Sequence, residues 1–212
     1  MASASNDSAE TVALLEQAVA GDEQAFERLM RRHIPFVARS VRQRLRNDLR
    51  SRVDASDIVQ DTQQTVFQRL PDFWARRPMP FRLWLLRTAF ERVVDVERIH
   101  VRSAKRAVDR EQQLSDLAMT GIASRMLTSM PSPASEASRR ELAEKVRDCL
   151  GQLTELDREI IFLRYFDGLK NAEVAELLQQ NPETTKKRLT RALLKLQRFL
   201  AAAGLGNFEA ER

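Results

Sequence analysis

Apolar residues recur at intervals of three and four along almost the whole chain, and no segment alternates apolar and polar residues over a sustained run. The clearest example is the series Phe26, Leu29, Met30, Ile34, Val37 and Val41. Such intervals place side chains on one face of an α-helix, whereas a half-buried strand requires an interval of two. Only 6 glycines and 7 prolines interrupt the 212 residues. The pattern predicts an all-α fold.

The first half of the chain predicts four helices separated by short breaks. Asp22 and Asp54 stand where N-caps would open the second and third helices. Pro35 is expected to kink or divide the second helix, and Pro71 is expected to end the third. Residues 71–80 are interpreted as a loop that precedes a long fourth helix.

Residues 111–138 differ in composition from the segments on either side. They carry little charge and gather Ser, Met and Pro, which predicts a flexible linker with a short helix around Leu114–Met119. Helical periodicity resumes beyond this stretch. The sequence therefore predicts two small helical domains, over residues 10–110 and 139–203, joined by a flexible linker.

The second domain contains the pattern of a helix-turn-helix. The run Thr154–Asp157 has the form of a capping box, and Gly168 suits a left-handed helix stop. A short apolar helix then leads to Asn181, a good N-cap, and to Pro182 at the first helical position. The helix that follows has a buried stripe and a basic face; the stripe is Leu189, Leu193, Leu196 and Leu200, and the basic face is Lys187, Arg191, Lys195 and Arg198, flanked by Lys186 and Arg188. DNA binding by this helix is the interpretation, and a solvated basic face on a structural helix is the alternative.

Charge and composition narrow the classes of function. The net charge of +5 is compatible with a nucleic-acid partner. An enzyme is not expected, because His33, His100 and Cys149 lie in unrelated segments and no glycine-rich phosphate loop or metal-ligand cluster is present in the sequence. No cofactor and no metal are therefore predicted. Neither a signal peptide nor a membrane span is visible, so a cytoplasmic location is expected and no membrane partner is.

Several segments together resemble one protein family. GDEQAFERLM, DASDIVQDT and FRLWLLRTAFERVVDVER are similar to region 2 of bacterial RNA polymerase sigma factors. LTELDREIIFLRYFDGLKNAEVAELL with TTKKRLTRALLKL is similar to region 4, and the lack of a large middle region resembles the extracytoplasmic-function group. The resemblance implies a factor that binds core RNA polymerase, at the β′ clamp helices and the β flap, and directs promoter recognition, promoter opening and transcription initiation. It also makes an anti-sigma factor a candidate partner.

The resemblance assigns the basic helix to the −35 promoter element. In a helix-turn-helix the residues near the start of the second helix face the base edges. The candidate −35 residues are Thr184, Lys186, Lys187, Arg188, Arg191 and Lys195.

The resemblance assigns the −10 element to the first domain. Aromatic faces and arginines commonly hold unstacked bases, and both occur just after Pro71. Phe73 and Trp74 could instead close the core, which is the expected place of Trp84. Glu91 stands where the family commonly has Asn, and its carboxylate favours a cytosine amine. The candidate −10 residues are Phe73, Trp74, Arg76, Arg77, Arg87, Glu91 and Arg98.

The acidic run at the start of the third helix is the candidate polymerase-binding surface. Its aspartates are spaced at three and four, which places them on one helical face. Capping of the helix by Asp54 and Asp57 is the alternative explanation. The candidate polymerase-binding residues are Asp54, Asp57, Ile58, Gln60 and Asp61.

Two further departures and two alternative functions stay open. Gln179 stands where the family often has Gly, which predicts a looser turn or a left-handed Gln, and Thr185 stands where Val is usual. A dimeric helix-turn-helix regulator that acts without polymerase, with residues 1–110 for dimerisation, is one alternative. A sigma-like decoy or adaptor is the other.

Overall fold

A computed structural model of the protein describes residues 7–45, 53–103 and 136–205. Every regular element in these ranges is helical, which confirms the all-α prediction. The elements are α1 (Ala9–Val19), α2 (Glu23–Arg44), α3 (Ala55–Arg76), α4 (Phe81–Ser103), α5 (Glu136–Gly151), α6 (Glu155–Ile161), a π-helical turn (Phe162–Phe166), α7 (Asn171–Leu177) and α8 (Pro182–Ala202). None of the helices in the described ranges is long and apolar enough to cross a membrane.

The chain forms two compact units, Met1–Val108 and Asp109–Arg212. Most of the segment interpreted as a linker, including Leu114–Met119, lies outside the described residues. Residues 136–138, the end of that segment, are described and are helical, because α5 begins at Glu136.

Two prolines are contained inside helices of the N-terminal unit. α2 continues through Pro35, and α3 continues through Pro71 as far as Arg76. The expectation that Pro71 ends the third helix was therefore wrong, and residues 71–76 are helical. Both prolines lie on exposed faces, where water can solvate the carbonyl that the missing N–H leaves unpaired. The helix stops six residues after Pro71, at Arg77, which adopts a left-handed conformation with φ of 38°.

The core of the N-terminal unit lies where α1, α2, α3 and α4 meet. Its apolar side chains include Leu15, Leu29, Val37, Ile58, Val66, Leu70, Phe81, Leu83 and Leu86. One buried polar contact joins α1 to α2, where Thr11 Oγ1 lies 3.5 Å from His33 Nε2. The ring of His33 packs edge-on against Phe81 at 5.3 Å.

The start of α4 is capped by a residue from the other end of the unit. Both carboxylate oxygens of Asp7 accept from the backbone N–H of Phe81 at 3.0 Å. Burial raises the pKa of the Asp7 carboxyl, against the opposing effects of this hydrogen bond and of Arg77. The contact joins the segment before α1 to the first turn of α4.

The C-terminal unit packs α5, α6, α7 and α8 around a second core. Its buried apolar residues include Val146, Leu150, Leu153, Ile160, Phe162, Leu163, Leu169, Val174, Leu189, Leu196 and Leu200. Thr154 caps α6 as predicted, since its side chain accepts from Asp157 N at 3.3 Å. Gly168, with φ of 70°, takes the predicted left-handed conformation before α7.

Candidate nucleic-acid and protein interfaces

The turn between α7 and α8 is tight and depends on one strained residue. Gln179 has φ of 53°, so the left-handed alternative predicted for it is confirmed. Gln180 N donates to Ala175 O at 2.8 Å and thereby closes the turn. Asn181 then caps α8, because its side chain accepts from Glu183 N at 2.9 Å and from Thr184 N at 3.4 Å. These contacts project the first turn of α8 into solvent.

The two faces of α8 divide much as the sequence predicts. The buried face contains Thr185, Leu189, Ala192, Leu196 and Leu200, while Leu193 is half-buried. Thr185 fits where Val is usual because its hydroxyl donates to Asn181 O at 3.1 Å. The exposed residues include Thr184, Lys186, Lys187, Arg191, Lys195 and Arg198.

Two of the candidate −35 residues bind a carboxylate inside the C-terminal unit. Arg188 Nε donates to Asp157 Oδ1 at 2.8 Å, and Lys195 Nζ donates to Asp157 Oδ2 at 2.9 Å. The side chain of Asp157 is only 4% exposed. Burial by itself would raise the pKa of Asp157, but hydrogen bonds from Lys195, Thr154 and Arg188 outweigh it and hold that pKa below its usual range. Arg188 and Lys195 therefore anchor α8 to α6.

The aromatic residues near the end of α3 do not share one environment. Phe73 is 4% exposed, stacks on Trp84 at 4.4 Å and meets the edge of Phe81 at 5.6 Å. Phe73 closes the core, because it continues the apolar stripe of α3 past Pro71, and it offers no free face to a base. Trp84 is buried, as expected.

Trp74 lies on the neighbouring, half-buried side of α3. The guanidinium of Arg77 lies over its ring, with 3.5 Å between Cζ and the ring centroid. Arg76 is exposed beside them. Trp74, Arg76 and Arg77 thus form a cationic aromatic patch at the end of α3.

The candidate −10 residues of α4 are partly paired with one another. Glu91 Oε1 accepts from Arg87 Nε at 3.3 Å, and Glu91 Oε2 lies 3.9 Å from Arg69 Nη1 on α3. Arg98 is exposed farther along the helix. Glu91 is thus held by two arginines at the surface.

Four of the five candidate polymerase-binding residues lie on one exposed surface of α3. We call this surface the acidic face; it comprises Asp54, Asp57, Gln60 and Asp61. Asp54 also caps α3 by accepting from Ser56 N at 3.0 Å, and this backbone hydrogen bond lowers its pKa. Ile58 is only 1% exposed. Its assignment to the docking surface was therefore wrong, because it belongs to the stripe that packs into the core.

The sequence reasoning missed Phe67. This side chain is 54% exposed and lies two turns beyond Gln60 on the same side of α3. Its ring edge rests on Phe26 of α2 at 5.0 Å. The signal was present in the sequence, since Phe67 falls beside the buried stripe of α3 and not within it.

The described residues contain no group of His, Cys, Asp and Glu side chains that could hold a metal ion. Cys149 is buried in the C-terminal core.

Two family profiles match the chain, one in each unit. The family described as Sigma-70 region 2 matches residues 29–107. The family described as Sigma-70, region 4 matches residues 143–196. Between them they span most of the two helical units.

Three curated relatives match over nearly their full length. RNA polymerase sigma factor CnrH of Cupriavidus metallidurans is 32% identical over 89% of this chain and 93% of its own. RNA polymerase sigma factor NccH of Alcaligenes xylosoxydans xylosoxydans is 30% identical over 90% of this chain and 95% of its own. The ECF RNA polymerase sigma factor SigK of Mycobacterium ulcerans is 30% identical over 90% and 94% respectively.

A solved structure agrees with these relatives. The structure of CnrH in complex with the cytosolic domain of CnrY has a TM-score of 0.57 and 27% identity. The match covers 92% of this chain and 99% of that one.

Proposed function

Because this chain belongs to the bacterial RNA polymerase sigma factors of the extracytoplasmic-function group, and so directs transcription initiation with core RNA polymerase, we propose that its two units divide the promoter between them. The C-terminal unit reads the −35 element with α8. The N-terminal unit docks on polymerase with α3 and opens the −10 element with the patch at the end of that helix.

The exposed, capped first turn of α8 is the observation that carries the −35 assignment. Thr184 and Lys187 project from it, and Arg191 follows Lys187 one turn later on the exposed surface. A helix that enters the major groove reads bases with its first turns. Lys186 lies at the flank of this surface and suits a phosphate contact.

The cationic aromatic patch supports the −10 assignment. Trp74 has one ring face covered by Arg77, so an unstacked base has the opposite side of the indole or the guanidinium itself to pack on. Arg76, Arg87 and Arg98 supply positive charge for the DNA backbone. Glu91 is oriented by its arginine partners and offers acceptor oxygens to an exocyclic amine.

The acidic face, extended by Phe67, is the proposed surface for polymerase. Asp57 and Asp61 are exposed, and no ion pair in the described part of the chain holds either of them. Exposed carboxylates around one apolar anchor suit a basic partner helix that has an apolar pocket. We assign the β′ clamp helices to this surface and the β flap to the C-terminal unit.

A regulatory protein partner is part of the proposal. The neighbouring CnrH structure contains the cytosolic domain of CnrY. By analogy, an anti-sigma factor would hold this chain away from polymerase.

The decisive experiment is transcription in vitro with purified core polymerase on a library of genomic fragments. We expect core enzyme with this chain to start transcription at a small set of fragments, and core enzyme alone to start transcription at none of them.

A gel-shift titration on one recovered fragment gives the second readout. The free chain should prefer that fragment little over random DNA at physiological salt, and core enzyme should create the preference, because a scaffold must hold two weak readers at a set distance. Tight, specific binding by the free chain as a dimer would contradict the proposal and favour the dimeric regulator.

A further inference from the structure

Asp157 is a buried carboxylate that joins the proposed DNA-reading helix to the rest of its unit. It belongs to α6, whereas both of its cationic partners belong to α8. Removal of a carboxylate from water is costly unless cations and hydrogen bonds replace the water. The pairing is therefore a fixed feature of the unit, unlike the surface pair of Arg87 and Glu91.

The two partners of Asp157 lie at widely separated points on α8. Arg188 and Lys195 lie seven positions apart, which is about two helical turns along the same flank. Each binds a different oxygen of Asp157, at 2.8 Å and 2.9 Å. A rotation of α8 about its axis, or a slide along it, would break at least one of these two bonds.

We propose that Asp157 is a positioning residue of the DNA-reading helix, which fixes the rotation of α8 and withdraws Arg188 and Lys195 from DNA phosphates. The proposal rests on the proposed function of α8. Fixed rotation keeps Thr184, Lys187 and Arg191 directed outward. The carboxylate cancels one of the two positive charges on this flank and holds both cations on the protein. This reduces the attraction of α8 for DNA of any sequence, since that attraction comes from cations that meet phosphates.

The proposal predicts that loss of the Asp157 carboxylate strengthens binding to DNA of any sequence and weakens the preference for the −35 element. In D157N the amide carries no negative charge to hold the two cations, so Arg188 and Lys195 become available to DNA. Binding to random duplex should strengthen severalfold, and its dependence on salt should steepen by about one to two in log–log slope. The preference for an intact −35 element should fall by about fivefold or more, the loss expected for one base contact.

The test uses the full chain and a promoter fragment recovered by transcription in vitro. Anisotropy titrations with random duplex over a series of salt concentrations measure the affinity for DNA of any sequence and its dependence on salt. Competition between that fragment and a copy with a scrambled −35 hexamer, in the presence of core polymerase, gives the preference. Glu155→Gln is the matched control, because it removes one carboxylate from an exposed position of the same helix. It should leave the −35 preference intact, and helix content by circular dichroism should be the same in all proteins.

Lys195→Met provides a second test if D157N folds poorly, since it leaves the Asp157–Arg188 pair in place. We expect it to lower the −35 preference with little change on random duplex, whereas Lys186→Met should weaken binding to random duplex, because exposed Lys186 is the residue assigned to a phosphate. An unchanged −35 preference in folded D157N, or equal losses on random duplex in the two lysine variants, would overturn the positioning role. A wild-type protein that shows no −35 preference with core polymerase would instead refute the proposed function.

Discussion

Asp61 in the N-terminal unit and Asp157 in the C-terminal unit carry the same charge in opposite surroundings. Asp61 is exposed on the acidic face. Asp157 is buried and bound to two cations of α8. An exposed carboxylate contributes little to stability and stays available to a partner, whereas a buried and paired one is committed to the fold. The charge of a residue in the sequence therefore does not reveal by itself whether that residue binds a partner or holds the fold together.

The basic residues of α8 divide in the same way. Lys187 and Arg191 are exposed and free to meet DNA, whereas Arg188 and Lys195 hold Asp157. The sequence pattern alone does not distinguish these two pairs of basic residues.

The largest expected effect comes from removal of both cations that hold Asp157. Arg188→Ala combined with Lys195→Ala leaves the Asp157 carboxylate without a countercharge. This should cost the C-terminal unit about 2–3 kcal/mol, less than a fully buried pair would lose, because both cations are more than a third exposed. Both tryptophans of the chain, Trp74 and Trp84, lie in the N-terminal unit. The loss should therefore appear in the unfolding followed by circular dichroism and be absent from the tryptophan emission. Lys187→Ala with Arg191→Ala is the control, with an expected cost within about 0.5 kcal/mol for each site. If the two double variants lost the same free energy of unfolding, Arg188 and Lys195 would have no greater structural role than Lys187 and Arg191.

Charge reversal on the acidic face should affect binding and leave the fold unchanged. Asp61→Lys places a like charge against a basic partner helix, which costs several kcal/mol, so affinity for core polymerase should fall about thirtyfold or more. The melting temperature should stay near that of the wild type, because Asp61 is exposed and lies beyond the cap. Glu16→Lys, an exposed reversal on α1, should leave core binding unchanged. If Asp61→Lys competes for core enzyme as well as the wild type does, polymerase binds elsewhere.

Lys187→Ala should have a smaller effect, confined to DNA. A phosphate contact would reduce the salt dependence by about one and weaken all sequences alike, and a base contact would cost about 1–3 kcal/mol at one base pair. Binding of the variant with core polymerase to the promoter fragment, over several salt concentrations, separates these outcomes. Unaltered affinity at every salt concentration would place Lys187 outside the groove.

The smallest effect concerns acid sensitivity, which should differ between the two units. Burial, together with Arg32 and Arg82, lowers the pKa of His33 from 6.5 to about 4. The unfolded chain therefore binds a proton before the folded unit does, and stability falls as pH drops from about 6.5 toward 4. Asp157 contributes stability above its unfolded pKa, which is lost only as pH falls through its still lower folded pKa. Tryptophan emission should thus report a melting temperature of the N-terminal unit that falls by about 5 °C or more between pH 7 and 5.

His33→Gln provides the control for this prediction. It should remove most of the pH dependence between about pH 6.5 and 5, whatever it does to stability at pH 7. The same slope in that variant and in the wild type would mean that other groups cause the acid sensitivity.

Features set by neighbouring residues were predictable from the sequence. The caps Asp22, Asp54 and Asn181 formed as expected, as did the left-handed Gly168. Each depends on backbone groups within a few positions of the residue itself. The sequence therefore carries nearly all the information that decides them.

Features that depend on distant partners were not predictable. Pro71 stayed within α3 because core packing of Leu70 and Phe73 outweighs one lost hydrogen bond. Asp157 pairs with Arg188 and Lys195, which lie 31 and 38 positions farther along the chain, and no local sequence pattern indicates these contacts. The same reason separates Phe73 from Trp74, since only the neighbouring helices decide which ring is covered.

The cap that Asp7 provides for α4 has a consequence for how the protein is made. The two ends of this contact are 74 positions apart. A ribosome releases Asp7 long before Phe81, so the first turn of α4 lacks its cap until most of the N-terminal unit has left the exit tunnel. Contacts of such long sequence separation slow folding, because a large loop must close before they form. The nascent chain consequently completes the start of α4 late in the synthesis of this unit, and until then neither the Asp7 carboxylate nor the N–H of Phe81 has the other as its partner.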